Sequence, residues 1–239
     1  IVEHGLEAAL AELNGMFAFA VWDRRRRLFI ARDRLGIKPV HYWVRDGQLA
    51  FASELKALTV LGRPAIDLSG IRDLFSYRHI PAPKTVYRDI RKLEPGHTLV
   101  WQDGRTELDR YWNPELSSEI DDPREAVEAL HVVLGEAIPE HMMSDVPVGV
   151  FLSGGVDSAT VTSYVPDTLT FTLGFDLKHR DESPAARRVA EFFGTDHHEV
   201  RVGPDDLEET VALMPTLFDE PFGDSGAWSN WAIAKLAKQ

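Results

Sequence analysis

Cysteine is missing from all 239 residues, which excludes disulfides, thiolate metal sites and a cysteine nucleophile within this stretch. Positive charge is in deficit: 26 Lys and Arg stand against 38 Asp and Glu, for a formal net charge of −12. A surface of that sign repels a nucleic-acid backbone, so nucleic acid is not an expected partner. No apolar run approaches the roughly 20 residues that a membrane helix needs, so no membrane partner is expected either. Internal repeats and low-complexity tracts are also absent. The lack of cysteine is compatible with a reducing compartment, and the expected location is cytoplasmic. The first residue is Ile1 rather than Met, which reads as a chain whose N-terminus lies elsewhere, together with any targeting signal.

What is there is a globular composition, 44% hydrophobic, with one feature that stands out. The apolar run Val146-Pro-Val-Gly-Val-Phe-Leu152 is followed by Ser153-Gly154-Gly155-Val156-Asp157-Ser158 and then by a stretch able to start a helix. Strand, glycine turn and helix start together present backbone N–H groups and a positive helix end to one anion. The two glycines allow close approach, the serines add hydroxyl donors, and Asp157 suits a hard cation such as Mg²⁺ riding on phosphate oxygens. The turn holds no lysine, so it is not the GxxxxGK[ST] loop. The bland alternative is an ordinary strand-to-helix turn with an Asp or Ser cap and no ligand.

The chain reads as two parts joined near residues 113–123. The first is strands and turns: Met16–Trp22 with Arg27–Ala31 around an Asp23–Arg26 turn, and His41–Val44 with Gln48–Ala52 around Arg45-Asp46-Gly47. Ser53–Leu61 and Leu68–Arg78 read as helices, and Thr98–Gln102 with Thr106–Trp112 as a last hairpin. The block Arg24–Arg27 reads as a solvated turn. After Pro123, which follows Asp122 as a cap, Ala126, Val127, Leu130, Val133, Leu134 and Ala137 recur at helical spacing through Ile138. Strands at Val146–Leu152, Leu169–Leu173 and His197–Val202 then alternate with helices to about Tyr164, at Asp181–Phe193, at Asp205–Leu217 and at Gly226–Lys238. That alternation predicts a parallel, doubly wound sheet with its ligand beyond the carboxyl ends of the strands, where Ser153–Ser158 lie.

Specific segments carry a family resemblance. Leu13-Asn-Gly-Met-Phe-Ala-Phe-Ala-Val-Trp-Asp23, Ala31-Arg-Asp-Arg-Leu-Gly-Ile-Lys-Pro39, Phe51-Ala-Ser-Glu-Leu-Lys-Ala57, Pro95-Gly96 and Arg110-Tyr-Trp112 resemble the second half of a class II glutaminase domain. Ser144–Ser158, Thr170-Phe-Thr-Leu-Gly-Phe175, Gly194-Thr-Asp-His-His-Glu199 and Asp219-Glu-Pro221 resemble the start of a synthetase domain of the ATP-pyrophosphatase type. In this order the segments are similar to glutamine-hydrolysing asparagine synthetase. The fold so implied is α/β with α+β: the C-terminal half of an N-terminal-nucleophile-type glutaminase sandwich over residues 1–115, then the start of a doubly wound parallel sheet over 123–239.

The resemblance implies a ligase chemistry. ATP activates the side-chain carboxylate of aspartate as an adenylate and releases pyrophosphate, and ammonia made from glutamine then displaces AMP. ATP and Mg²⁺ are the implied cofactors, and aspartate with glutamine or ammonia are the small-molecule partners. The resemblance leaves room for a homodimer of the full-length protein. It places ATP at Leu152, Ser153, Gly154, Gly155, Asp157, Ser158 and Leu173, and the metal at Asp157. No catalytic residue is assigned, because the family's N-terminal cysteine and glutamine-binding segments have no counterpart here. The chain therefore reads as a central fragment, expected to be inactive alone. Other adenylating ligases, such as a β-lactam synthetase or an envelope amidotransferase, and a non-catalytic nucleotide-binding remnant are the competing readings.

Four further groups hold side chains capable of chemistry. His197-His198-Glu199 reads as structural, since neighbours in a strand point to opposite faces. Asp181-Glu182-Ser183 reads as a helix cap. Asp219, Glu220 and Asp224 read either as near-substrate groups or as an acidic surface loop. Arg32, Asp33 and Lys38 read as charges fixed by hydrogen bonds in a turn rich in Gly and Pro.

Overall fold

The computed structural model describes residues 5–116, 120–176, 181–224 and 226–238. It divides into two compact units: Ile1–Leu116 with Pro215–Asp224, and Ser117–Met214 with Ser225–Gln239.

The first unit runs α1 (Gly5–Glu12), β1 (Ala18–Trp22), β2 (Arg27–Arg32), β3 (His41–Arg45), β4 (Gln48–Ala52), α2 (Leu55–Thr59), α3 (Leu68–Tyr77), β5 (Ile90–Lys92), β6 (His97–Gln102) and β7 (Arg105–Arg110). β1-β2-β6-β7 form one antiparallel sheet, with Ala20 opposite Ile30 and Ile30 opposite Leu99; β4-β3-β5 form another. Ile30 and Leu99 of the first sheet pack with Tyr42 of the second, and with Val40 and Leu93, so the sheets share a core in the manner of a sandwich. The second sheet also packs Trp43 and Ile90 against Leu55, Leu58 and Ile80.

The turns show why these strands pair. The Asp23 carboxylate accepts the Arg25 and Arg27 N–H groups and the Arg27 Nε, which closes the β1–β2 hairpin and leaves Arg24 and Arg25 in solvent. Asp46 and Gly47 both take positive φ (52° and 75°), the geometry that a two-residue hairpin demands. The helix expected from Ser53 starts at Leu55 instead, after Glu54, which makes no side-chain cap. β7 is exposed along its length and carries Arg105, Glu107, Asp109 and Arg110, charges that discourage edge-to-edge pairing.

Asp33 and Arg32 have structural roles, as expected. Asp33 is buried, and its carboxylate accepts the Ile37 and Lys38 N–H groups, both at 2.9 Å. Burial works against its ionisation, but these donors, with Gly36 and Arg32, win and hold its carboxyl below the usual range. The Arg32 guanidinium donates to the carbonyls of Gly36, Lys38 and Leu93.

Within the same unit, Asp219 and Glu220 settle against distant backbone. Asp219 accepts the Leu55 N–H at the start of α2 and pairs with Lys56. Glu220 accepts the Val86 N–H at 2.6 Å and pairs with Lys92, with only 14% of its side chain exposed. These two carboxylates are packed anchors rather than a solvated loop.

The second unit runs α4 (Pro123–His141), β8 (Gly149–Phe151), α5 (Val156–Ser163), β9 (Leu169–Phe175), α6 (Ser183–Phe193), β10 (Asp196–Val202), α7 (Pro204–Leu217, whose last residues fall in the first unit) and α8 (Gly226–Ala237). Asp122 caps α4 through the Arg124 N–H, with Pro123 in the first turn, as its sequence predicts. The three strands are parallel in the order β10-β9-β8, with Val150 beside Thr170 and Thr170 beside His197. The fold is therefore mixed α/β, with antiparallel sheets first and a parallel sheet after.

Two boundaries move for clear reasons. β9 continues through Gly174 to Phe175, because Gly174 pairs in register with Arg201 of β10. α6 begins at Ser183 rather than Asp181, because the Asp181 carboxylate sits outside the helix and accepts the Ser183 N–H and hydroxyl and the Phe175 N–H. The two histidines separate as expected: His197 bonds Thr170 and Glu199, while His198 stacks on Phe171 and pairs with Asp196.

Candidate functional site

The glycine turn lies at the carboxyl end of β8. Leu152 extends that strand: its N–H donates to the Phe171 carbonyl at 2.9 Å, and its own carbonyl accepts the buried Thr172 hydroxyl at 2.6 Å. Both main-chain groups of Leu152 are thereby tied to β9, and its side chain is buried against Ala186 and Ala190 of α6. The turn thus departs from a fixed point.

Its donors bond to partners at close range. Ser158 Oγ accepts the Ser153 N–H at 3.1 Å, and the two serine hydroxyls meet at 2.8 Å. Ser153 Oγ accepts the Gly155 N–H at 3.1 Å, while the Gly154 N–H donates to Glu182 Oε2 at 3.2 Å. Gly155 is the N-cap of α5 in an extended conformation, so the chain enters the helix with its first amides at the turn.

Gly154 is needed for space rather than for a left-handed backbone. A Cβ there would lie 2.8 Å from Ala185 Cβ, which is fixed in the first turn of α6. Asp157 stands exposed in the first turn of α5 and makes no hydrogen bond or ion pair with a described residue. Its free carboxylate fits a ligand for a hard cation. Among the described residues, no cluster of three or more His, Cys, Asp or Glu could hold a metal by itself.

A cavity of about 280 Å³ opens beside the turn. Phe151, Leu152 and Ser153 at the end of β8 and Thr172, Leu173 and Phe175 at the end of β9 supply one wall, Glu182 the wall next to the turn, and Ser229, Asn230 and Ile233 of α8 the remainder. Of the residues that the sequence singles out, Leu152, Ser153 and Leu173 meet in this cavity. Gly154, Gly155, Asp157 and Ser158 form the adjoining turn. Glu182 reads from sequence as part of a helix cap rather than as a group of this site, and Ser229 and Asn230 are not singled out by the sequence at all. The sequence signal for the last two is a pair of polar residues in a largely apolar α8, spaced with Ile233 on one helical face.

Two family models match in tandem: a glutamine amidotransferase domain over residues 1–112 and asparagine synthase over residues 129–239. Asparagine synthetase (glutamine-hydrolyzing) 1 of Bacillus subtilis is 31% identical over 243 residues, covering 99% of this chain and 38% of that protein. A provisionally named asparagine synthetase (glutamine-hydrolyzing) of Methanocaldococcus jannaschii is 33% identical over 95% of this chain and 47% of its own length. The chain belongs to the glutamine-hydrolysing asparagine synthetase family.

The chain spans less than half the length of these relatives. An amidase of Penicillium rubens, chyE, is 34% identical over 95% of this chain and 37% of its own. The solved structure of glutamine phosphoribosylpyrophosphate amidotransferase from B. subtilis, complexed with ADP and GMP, matches 85% of this chain at 17% identity and a TM-score of 0.33. The amidotransferase match falls on the antiparallel sheets, and the asparagine synthase match begins in α4 and carries the glycine turn.

Proposed function

We propose that this chain supplies the pyrophosphate-binding part of an ATP-dependent asparagine synthetase. The full reaction joins aspartate, glutamine and ATP to give asparagine, glutamate, AMP and pyrophosphate through an aspartyl adenylate. One observation carries this reading: the Ser153–Ser158 turn sits at the carboxyl end of a parallel strand, directly beside a cavity at the ends of β8 and β9.

The residues divide the work as follows. The cavity at Leu152 and Leu173 takes the adenosine part of ATP. Ser153, Gly154, Gly155 and Ser158 offer N–H and hydroxyl donors to the departing pyrophosphate, whose charge grows as the carboxylate attacks the α-phosphorus. Asp157 would hold Mg²⁺, which when bound shares that charge. No lysine or arginine lies in the turn, so backbone donors and the helix end bear the rest.

The same reading places the protein in the cytoplasm. Among the described residues no helix is long and apolar enough to cross a membrane. The test is aspartate-dependent release of pyrophosphate from ATP by the protein extended to the length of its relatives. Pyrophosphate release that responds to another carboxylic acid and not to aspartate would transfer the reading to a different ligase.

A further inference from the structure

Glu182 occupies the N-cap position of α6 with helical backbone (φ −91°, ψ −4°), its carbonyl accepting the Ala185 and Ala186 N–H groups, yet its side chain makes no capping bond to that helix. Asp181 already takes the Ser183 N–H and hydroxyl, which frees Glu182 from that task. Its carboxylate reaches across 28 residues of sequence to accept the Gly154 N–H at 3.2 Å, and the same side chain borders the cavity.

The three bonded amides of the turn are thus treated unequally. Ser153 and Gly155 donate to neutral hydroxyls, whereas Gly154 donates to a full negative charge. An N–H that takes a carboxylate oxygen is aimed to take a phosphate oxygen, because both are charged acceptors with similar reach. Both anions cannot hold it together without strong like-charge repulsion.

We propose that Glu182 is a positioning residue of the turn, a resident anion that keeps the Gly154 N–H aimed and yields it to phosphate. This rests on the reading of the turn as a phosphate site. Two consequences follow from charge alone. A bare phosphate anion meets repulsion from Glu182, so binding favours a nucleotide whose adenosine part is held in the cavity and whose charge is shared with a cation. After cleavage, free pyrophosphate has lost the adenosine anchor, and Glu182 competes for Gly154 and speeds its departure.

The experiment is calorimetric titration of inorganic pyrophosphate, without divalent metal, into the 239-residue chain and its Glu182→Gln variant. Glutamine keeps an acceptor oxygen and removes the charge. The variant is expected to bind about three- to tenfold tighter, the effect of removing one exposed like charge next to a multiply charged ligand. A side chain that merely braced the turn would give weaker binding on substitution. Equal or weaker binding by the variant, with measurable binding by the wild type, overturns the role of Glu182 alone. No binding by either protein overturns the phosphate reading of the turn and this role with it. Should the variant fail to fold, the amide spectrum of the wild type decides: pyrophosphate must shift the Gly154 resonance, and bound pyrophosphate with Gly154 unmoved overturns the proposal.

Discussion

The Glu220 carboxylate accepts the Val86 N–H at 2.6 Å, joining residues 134 apart in sequence within the first unit. Its other oxygen pairs with Lys92, whose side chain is 18% exposed. Two charges so withdrawn from water stabilise only as a pair, and removing one strands the other. Glu220→Ala is therefore expected to lower the stability of the first unit by about 3 kcal/mol. Glu220→Gln keeps an acceptor for Val86 and loses less. Urea unfolding followed by tryptophan fluorescence measures both; a Glu220→Ala variant as stable as the wild type would show the pair to be dispensable.

Gly154→Ala tests the packing of the turn. Its new methyl would meet Ala185 Cβ at 2.8 Å, where neither partner is a flexible side chain. The turn must move off α6, at a cost of about 1–3 kcal/mol, and the Gly154 N–H loses its aim. Lower melting temperature and weaker ATP binding should appear together. Full ATP affinity in this variant would mean that the turn's position against α6 does not matter for binding.

Asp157→Asn is the complementary case. The side chain is exposed and unpaired among the described residues, so stability should change by less than about 0.5 kcal/mol. In the protein extended to the length of its relatives, metal-dependent ATP turnover should fall about a hundredfold or more. Undiminished turnover would remove Asp157 from the metal role.

Asp33 gives a pH signature. Burial raises its pKa, but the Lys38, Ile37 and Gly36 N–H groups and Arg32 outweigh this and lower it in the folded state. The unfolded chain then binds the proton more readily, so stability from this group is full above about pH 4 and is lost progressively as pH falls toward the folded value. The stability difference between wild type and Asp33→Asn should accordingly hold steady above about pH 4, the ordinary carboxylate value, and shrink as pH falls below it. A difference that stays constant through that fall would contradict the assignment.

The parts of this molecule that sequence made legible are local ones. The glycine turn, the Asp23 hairpin, the Asp122 cap and the parallel alternation after Pro123 each depend on neighbours a few residues apart, where periodicity and turn chemistry speak directly. Asp33 and Arg32 were readable as structural for the same reason. Glu182, Asp219 and Glu220 were not, because each finds its partner across 28 to 164 residues, and nothing local in an acidic residue tells an anchor from a solvated charge. β5 escaped because three residues carry too short a pattern, and the Asn230 face of α8 because its place beside the turn is set by packing on β9.

The central claim is adenylation of aspartate at the Ser153–Ser158 turn. Its most direct measurement uses aspartate labelled with ¹⁸O in the side-chain carboxylate, ATP and ammonia, with the protein extended to the length of its relatives. The carboxylate oxygen that attacks the α-phosphorus stays with it when nitrogen displaces AMP, so the account predicts unlabelled pyrophosphate and AMP that carries one ¹⁸O. Unlabelled AMP, or ADP and inorganic phosphate as the products, would contradict it.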